Sequence, residues 1–271
     1  MAKPQQACDV IIRRWQSGTL QPPTADIVAS EEPLEIRVRG QAIAITMRTP
    51  GHDEELATGF LLSENILHNR SDVTEIAHCR EGNTAEHDNI LNVFLAPSVN
   101  VDLEQLTRHV FASSSCGLCG KASIESVKQH FPSIESQITI SGKLISSLPD
   151  ILREAQPTFD KTGGLHAAGI FSLEGKLLVS REDIGRHNAV DKAIGHLFLA
   201  GANLEKTILM VSGRVSFEIL QKALATRIPI IAAVSAPSSL AVEFAQQNKQ
   251  ILAGFVRGKT LNIYSGADRV T

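Results

Sequence analysis

The first ordered pattern along the chain is an alternation of apolar and charged side chains that begins at Leu34. It runs to Arg39, is interrupted at Gly40 and resumes at Ile43, and so predicts two strands joined by a tight turn. Three consecutive carboxylates then precede a segment rich in apolar residues. Because carboxylates favour the positive end of a helix dipole, this segment predicts a helix over 53–67.

Further along the chain, period-two patterns predict strands at 73–79 and 90–95, and helices are predicted over 102–110 and from 121 to just before Pro132. From about residue 163, strands and helices alternate, which is typical of a largely parallel sheet covered by helices. The predicted strands of this half are 165–173, 177–180, 207–211, 229–234 and 250–256, and its predicted helices are 184–199, 216–225 and 238–247.

These patterns divide the chain into three parts. Residues 1–30 mix glutamine, proline and polar groups without a period, and predict a loosely ordered lead-in. Residues 31–100 predict a strand-rich N-terminal subdomain with one helix, and residues 101–271 predict an α/β domain.

The composition is that of an ordinary globular protein. A length of 271 residues suffices for a large core without a disulfide or metal to hold it. A net charge of −3, with 43% hydrophobic and 20% charged residues, excludes wholesale disorder and offers no general basic surface for nucleic acid. The chain shows no apolar run of membrane-span length and no signal-peptide core, so we expect a cytoplasmic protein without membrane or nucleic-acid partners.

The clearest chemical motif is the C-x-x-C pair of Cys116 and Cys119, which follows three serines. Gly117 and Gly120 allow the backbone around it to move, and the positive charge of Lys121 favours the thiolate. A mobile, exposed thiolate suits a residue that accepts a group and hands it over.

Other interpretations of the pair stay open. A structural zinc site needs four ligands and a second C-x-x-C is missing, although His166 or His187 could complete a mixed site. A dithiol redox pair is expected at the start of a helix after a strand, and the two cysteines could also simply pack. The isolated Cys8 and Cys79 are interpreted as small hydrophobes.

A polar cluster interrupts the core-facing side of the predicted helix 184–199. Steps of three and four place His187 and Asp191 on its apolar stripe. Burial of such groups is costly unless they are paired or face a site. They are therefore either a pair that satisfies itself at i and i+4, or the wall of a polar pocket with Arg186 and Lys192 nearby.

Three loops that follow predicted strands carry groups that bind anions. Residues 212–216 and 235–239 place hydroxyls at predicted helix N-termini, and residues 254–259 carry two cations, an aromatic ring and two glycines. Each loop alone is more often a cap or a turn, and no Walker or dinucleotide-binding glycine motif is present. Because ligands of open α/β sheets bind outside the carboxyl ends of the strands, the three loops together indicate a phosphate- or nucleotide-bearing ligand.

In this order, the blocks resemble the FdhD family, the formate dehydrogenase accessory sulfurtransferases. The matching segments are 31–38, 47–53, 113–121, 162–168, 181–192, 212–218 and 254–258. The resemblance covers roughly residues 31–265, and several long blocks make it specific.

The resemblance implies a sulfurtransferase that serves formate dehydrogenase. A cysteine desulfurase would pass a persulfide to the C-x-x-C cysteines, and the sulfur would go to the molybdenum of the Mo-bis-molybdopterin guanine dinucleotide cofactor. Cys116 would bear the persulfide and Cys119 would assist it. The segment that would match the family's cofactor-binding stretch consists of Phe255, Val256, Arg257, Gly258, Lys259 and Thr260.

The implied fold is a three-layer α/β/α cytidine-deaminase-like domain with a smaller strand-rich N-terminal part. Deaminase chemistry itself is not expected, since it needs H-x-E and P-C-x-x-C motifs, whereas Ala168 stands where the glutamate would and Ser115 precedes Cys116. No metal of its own is therefore predicted.

The implied partners are the cysteine desulfurase, the formate dehydrogenase catalytic subunit and the guanine nucleotide moiety of the cofactor, and a homodimer stays open. The alternative function is a non-catalytic chaperone that holds the molybdenum cofactor or apo-formate dehydrogenase.

Overall fold

The computed structural model describes residues 5–79, 88–101, 131–135 and 137–271. Its strands, in chain order, are β1 (Ala7–Gln16), β2 (Thr19–Ala29), β3 (Glu32–Val38), β4 (Gln41–Arg48), β5 (Val73–His78), β6 (Ile90–Leu95), β7 (His166–Ser172), β8 (Leu177–Asp183), β9 (Thr207–Val211), β10 (Ile230–Ala233), β11 (Ile251–Arg257) and β12 (Thr260–Ser265). Its helices are α1 (Asp53–Ser63), α2 (Gly142–Glu154), α3 (Pro157–Thr162), α4 (Arg186–Leu199), α5 (Phe217–Ala225) and α6 (Ser239–Gln247). Short 3-10 helices lie at Arg70–Asp72, Leu204–Lys206 and Ala267–Arg269.

The centre of the fold is a six-stranded sheet in the order β12-β11-β10-β9-β7-β8. Strands β9, β10 and β11 are parallel, whereas β7–β8, β7–β9 and β11–β12 are antiparallel. The prediction of a largely parallel sheet is therefore wrong, and the sheet is mixed. The reason is that hairpins form both of its edges, since connections as short as the two residues between β11 and β12 can join only antiparallel strands.

Helices cover both faces of this sheet, which confirms the three-layer α/β/α arrangement. Alternate side chains of a strand point to opposite faces. Ile208 and Met210 of β9 join a core cluster that contains Leu148 of α2. Leu209 and Val211 face the other way, into a second cluster with the apolar residues of α4, α5 and α6.

A four-stranded sheet in the order β4-β3-β6-β5 precedes these layers. The predicted hairpin β3–β4 is confirmed, and Arg39 and Gly40 take φ values of 51° and 79° at its turn. Two-residue hairpins require such positive φ angles because their twist matches that of the strands. Helix α1 ends at Ser63, four residues before the predicted end at 67. The chain leaves the helix through Asn65, which has a φ of 62°, and the Ile66 N–H donates to Leu61 O at 2.9 Å.

One apolar core runs from this sheet into the C-terminal half. It includes inward-facing residues of β3 and β6, then α1, then α4. Helices α1 and α4 cross in backbone contact, because Gly59 and Gly195 lie at the crossing. The loop that precedes α1 is thereby fixed against the central layers.

The prediction of a loosely ordered lead-in over residues 1–30 is wrong for residues 7–29. Strands β1 and β2 form an antiparallel ribbon, with Ala7 opposite Ala29 and Gln16 opposite Thr19. The two strands pair along their length, while most of their side chains stay exposed. Because few of these side chains are buried, the sequence lacks the regular apolar pattern that would predict the ribbon.

Candidate functional site

The predicted sulfur-bearing pair, Cys116 and Cys119, lies outside the described residues, as do the predicted helices at 102–110 and from 121. Two other cysteines lie inside them, Cys8 exposed and Cys79 half-buried. The described part of the candidate site is therefore the end of the central sheet at which the three loops predicted to bind an anion lie; we call this end the carboxyl edge of the sheet.

The three loops predicted to bind an anion meet at the carboxyl ends of β9, β10 and β11. The Val215 N–H donates to Ala236 O at 3.1 Å, and the Ser238 N–H donates back to Val215 O at 3.0 Å, so the first two loops are joined. The Phe255 N–H donates to Ser235 O at 3.1 Å and joins the third loop to the second. Parallel strands bring their carboxyl ends to one edge, and the predicted convergence follows from this.

The predicted cofactor-binding stretch begins where β11 becomes irregular. Phe255 has a φ of 50°, and the register with β12 shifts here. As a result Val256 is buried, whereas the Phe255 ring is exposed. The guanidinium of Arg257 lies 5.5 Å from the centroid of that ring, and its Nε donates to Val234 O at 3.0 Å. The remaining residues of the stretch are exposed: Gly258, Lys259 and Thr260.

Further cations lie beside the first loop. Strand β7 runs antiparallel to β9, so its first residue, His166, reaches the same edge, and a Cβ on Gly213 would lie only 3.2 Å from His166 Nδ1. Burial lowers the pKa of His166 below its ordinary 6.5, and the positive charges of Arg186, His187 and Arg214 lower it further. The guanidinium groups of Arg186 and Arg214 make this edge positive, which favours an anionic ligand.

Arg186 offers a hydrogen-bond donor beside the first loop. It is the first residue of α4, and its buried Nε has no hydrogen-bond partner among the described residues. A buried donor without a partner is costly, and an anion at the edge would relieve that cost.

His187 and Asp191 do not pair with each other, so the interpretation as a mutually satisfied pair is wrong. His187 Nε2 lies 2.9 Å from Glu218 Oε2 and 3.1 Å from Ser216 Oγ. Asp191 instead accepts from Lys222 Nζ at 2.8 and 2.7 Å with its two oxygens. Both partners come from α5, which packs against the stripe that carries the pair. His187 is close enough to His166 to lower the pKa of that imidazole.

Behind the edge, a buried ion-pair network holds the segment before α1 against α4, and sequence reasoning missed it. Lys192 Nζ lies 2.7 Å from Asp183 Oδ2 and also donates to Thr49 O at 2.7 Å. Arg48 donates to both carboxylate oxygens of Asp53 at 3.0 Å. Lys192 is therefore fully buried in this network and does not line a pocket. Charged residues at inward positions of two strands could have indicated this network, because a buried charge is strongly destabilising unless it is paired.

Among the residues that the structure describes, no three His, Cys, Asp or Glu side chains come together in a group that could hold a metal ion. In the same part of the chain, no helix has both the length and the apolar character that a membrane crossing needs.

Comparison with known proteins places these features in a family. The model described as the FdhD/NarQ family matches residues 29–271. The sulfur carrier protein FdhD of Streptomyces coelicolor is 49% identical over 252 residues, which cover 90% of this chain and 89% of that protein. The protein of the same name from Mycobacterium tuberculosis is 48% identical over 254 residues, 91% of this chain and 92% of that one.

A solved structure shows the same fold. The crystal structure of a protein from Desulfotalea psychrophila, described as a formate dehydrogenase accessory protein, superposes with a TM-score of 0.77. The match covers 98% of this chain and 100% of that chain at 22% identity.

Proposed function

Since this chain belongs to the FdhD/NarQ family, we propose that it is a sulfur carrier in the maturation of formate dehydrogenase. The observation that carries the proposal is the C-x-x-C pair in a chain 49% identical over 252 residues to a protein named sulfur carrier protein FdhD. In this proposal Cys116 accepts sulfur from a cysteine desulfurase and passes it on to the molybdenum of the Mo-bis-molybdopterin guanine dinucleotide cofactor.

The loading step is a thiolate exchange. The Cys116 thiolate attacks the terminal sulfur of the donor's persulfide, the S–S bond of the donor breaks, and the donor cysteine leaves as a thiolate. The new S–S bond is on Cys116, and no external oxidant or reductant is consumed. The positive charge of Lys121 next to the motif favours the ionised thiol that the attack needs.

Two routes for the second cysteine are chemically balanced. The Cys119 thiolate can attack Sγ of Cys116, which releases hydrosulfide and leaves a disulfide between the two residues. Alternatively, it can attack the terminal sulfur and carry the persulfide itself. The first route frees the sulfur as hydrosulfide, whereas the second keeps it on the loop as a persulfide until a receiving group is close.

The geometry of the sheet edge supports a guanine dinucleotide as the docked group. The exposed ring of Phe255 offers a stacking surface, and the cations Arg257 and Lys259 suit the phosphates. His166, Arg186 and Arg214 extend the polar, positive surface along the same edge. The cofactor is cargo in this proposal, and the chain needs no resident metal for the transfer.

The test is incubation with a cysteine desulfurase and cysteine, followed by mass spectrometry of the intact protein and its peptides. We expect a gain of one sulfur atom on the peptide that carries Cys116 and Cys119, and no gain after Cys116→Ala together with Cys119→Ala. Cys8→Ala is the matched control, because Cys8 is an exposed free thiol outside the motif. A wild-type protein that gains no sulfur would refute the carrier role and support a chaperone that holds the cofactor or apo-formate dehydrogenase.

A further inference from the structure

Asp183, the last residue of β8, is a fully buried carboxylate at the carboxyl edge of the central sheet. It lies opposite His166 in the antiparallel pair of β7 and β8. Its negative charge raises the pKa of His166, against the larger effects that lower it. Because a carboxylate next to an anion site weakens binding unless its charge is offset, the contacts of Asp183 decide what it does there.

Both oxygens of the Asp183 carboxylate are fully occupied by donors. Oδ1 accepts from the Gly185 N–H at 2.8 Å and from Asn188 Nδ2 at 3.0 Å. Oδ2 accepts from the Thr49 N–H at 3.1 Å and lies 2.7 Å from Lys192 Nζ. Four donors use the accepting capacity of a carboxylate, and the ammonium group of Lys192 offsets its charge. Asp183 is therefore not a ligand-binding group itself.

The donors that Asp183 brings together enclose the turn between β8 and α4. Gly185 is the N-cap residue of α4, and Asn188 lies in its first turn. The Ile184 N–H donates to Thr49 Oγ1 at 3.1 Å, so the middle of the turn is held as well. A Cβ on Gly185 would lie only 2.9 Å from Asn188 Nδ2, which shows how closely the turn is packed. These contacts fix the point at which α4 begins.

Arg186 follows this turn directly, as the first residue of α4. Its buried Nε, a donor without a partner in the described part of the chain, lies at the beginning of a helix of fourteen residues. The first N–H groups of a helix have no acceptor inside the helix, and the helix dipole favours an anion there. The position of the turn therefore sets where two kinds of anion-binding donor lie.

We propose that Asp183 is the positioning residue of the anion site at the carboxyl edge, and that its carboxylate holds the start of α4 so that Arg186 faces a bound diphosphate. The inference rests on the proposed function for its ligand, the diphosphate-bearing cofactor, and adds a role for a residue that does not touch that ligand. An asparagine in place of Asp183 would keep one accepting oxygen and turn an NH₂ group toward the remaining donors. The turn would then lose half of its hydrogen bonds to this side chain.

The test measures the binding of inorganic pyrophosphate to the full-length protein by isothermal titration calorimetry at constant ionic strength. Pyrophosphate has the diphosphate chemistry of the cofactor without its bases. Asp183→Asn should weaken binding about tenfold, because the Arg186 contact is lost when its position is no longer fixed. Removal of a negative charge acts in the opposite direction, since an anion binds more tightly when a nearby carboxylate is neutralised. The direction of the change therefore separates positioning from simple electrostatics.

A double-mutant cycle shows whether Asp183 acts through Arg186. Arg186→Ala alone should also weaken pyrophosphate binding about tenfold, because it removes one charge-assisted contact. In the Arg186→Ala background, Asp183→Asn should have no further effect, since the group that it positions is gone. Additive losses would give Asp183 a role independent of Arg186 and overturn the proposal.

Asp191→Asn is the matched control, because Asp191 forms the other buried ion pair of α4, with Lys222. It removes the same charge from the same helix and should lower the free energy of unfolding as Asp183→Asn does. It should leave pyrophosphate affinity unchanged, because Asp191 makes no contact with the turn before α4. An equal loss of affinity in both variants would mean that general destabilisation of α4 is the cause.

A substitution without a change in charge decides the question if Asp183→Asn does not fold. Thr49 is fully buried, and Thr49→Val removes the hydroxyl that accepts from the Ile184 N–H, whereas Thr49→Ser keeps it. We expect weaker pyrophosphate binding in Thr49→Val and wild-type binding in Thr49→Ser. Equal affinities in these two variants would contradict control of the site by the turn.

Two outcomes separate this proposal from the sulfur-carrier role. A wild-type protein that binds no pyrophosphate would remove the anion site and with it the role of Asp183. Unchanged or tighter binding in a folded Asp183→Asn protein would remove the positioning role alone. Sulfur gain on the peptide that carries Cys116 and Cys119 is measured independently, so its absence would refute the carrier role whatever the pyrophosphate affinities are.

Discussion

At the scale of single residues, Glu55 of α1 is the clearest polar link between the N-terminal part and the central layers. Its carboxylate oxygens lie 2.5 and 2.7 Å from Arg181 Nε and Nη2, and His196 Nδ1 lies 2.9 Å away. We expect Glu55→Gln to lower the free energy of unfolding at pH 7 by about 2 kcal/mol, since hydrogen bonds to a partly buried charge are lost. Urea denaturation measures this.

The same residue predicts a pH dependence. Burial alone would raise the pKa of Glu55, but hydrogen bonds and positive charge from Arg181, with hydrogen bonds from His52 and His196, hold it well below the ordinary 4.5. A carboxyl group with a lowered folded pKa contributes its full stability above its unfolded pKa and loses it as the pH falls further. Below about pH 4.5, Glu55→Gln should therefore lose less stability than the wild type.

Glu54→Gln is the control for both measurements, because this exposed neighbour lies on the same helix. It should change the unfolding free energy by less than about 0.5 kcal/mol. If both variants showed the same acid dependence, the assignment of the link to Glu55 would be wrong.

The ion-pair partners of buried charged residues could not be predicted from the sequence. Helical spacing correctly placed His187 and Asp191 on one stripe, but their partners, Glu218 and Lys222, come from a helix about thirty residues further along. A periodicity describes one element and contains no information about the element that packs on it. For the same reason the sequence did not reveal that Lys192 pairs with a strand residue.

At the scale of elements, the closest packing in the described part lies between α1 and α4. A Cβ added to Gly195 would overlap the backbone oxygen of Glu55, and one added to Gly59 would overlap the backbone of Asp191. We therefore expect Gly195→Ala to lower the free energy of unfolding by about 3 kcal/mol, because the helices must move apart. Chemical denaturation followed by circular dichroism gives the value.

Gly142→Ala is the matched control at the first residue of α2. A Cβ there would lie 3.5 Å from Val270 Cγ1, an ordinary contact, so the change should stay within about 1 kcal/mol and can stabilise the helix. Equal losses in the two variants would show that the crossing of α1 and α4 tolerates a side chain and is not as close as these distances require.

Strands and helices with a regular pattern of apolar residues could be predicted from the sequence, whereas other elements could not. The β7–β8 hairpin and the run from β9 to β11 have long apolar segments between turn residues, and their bounds agree with prediction within a few residues. Helix α2 had no prediction, although Ile145, Leu148 and Leu152 are spaced for one buried face. Pro149 lies inside that helix and indicates a break when only the sequence is read.

At the scale of the whole molecule, the sheet assembles a surface from segments that are distant in the chain. Parallel pairing of β9, β10 and β11 follows from strand–helix alternation, so the meeting of three loops at one edge could be predicted. The contribution of His166 could not, because it depends on β7 joining the sheet antiparallel to β9. The sequence thus predicted the meeting of the three loops but not the position of His166 beside them.

This arrangement predicts which cations bind a nucleotide. Arg257 is held beside an aromatic ring at the carboxyl edge, and Lys259 follows in the exposed turn. We expect Arg257→Ala and Lys259→Ala each to weaken the binding of guanosine diphosphate about tenfold, because each removes one charge-assisted contact to phosphate. Isothermal titration calorimetry at constant ionic strength measures the affinity.

Lys206→Ala separates this contact from a general effect of net charge. Lys206 is exposed and directly precedes β9, so it lies at the opposite edge of the same three strands. Removal of its charge changes the net charge of the protein as the other two variants do, yet it should leave the affinity unchanged because a distant surface charge is screened by salt. An equal loss of affinity in all three variants would mean that nucleotide binding depends only on the net charge of the protein. Wild-type affinity in Arg257→Ala and Lys259→Ala would show that these two residues do not contact the nucleotide.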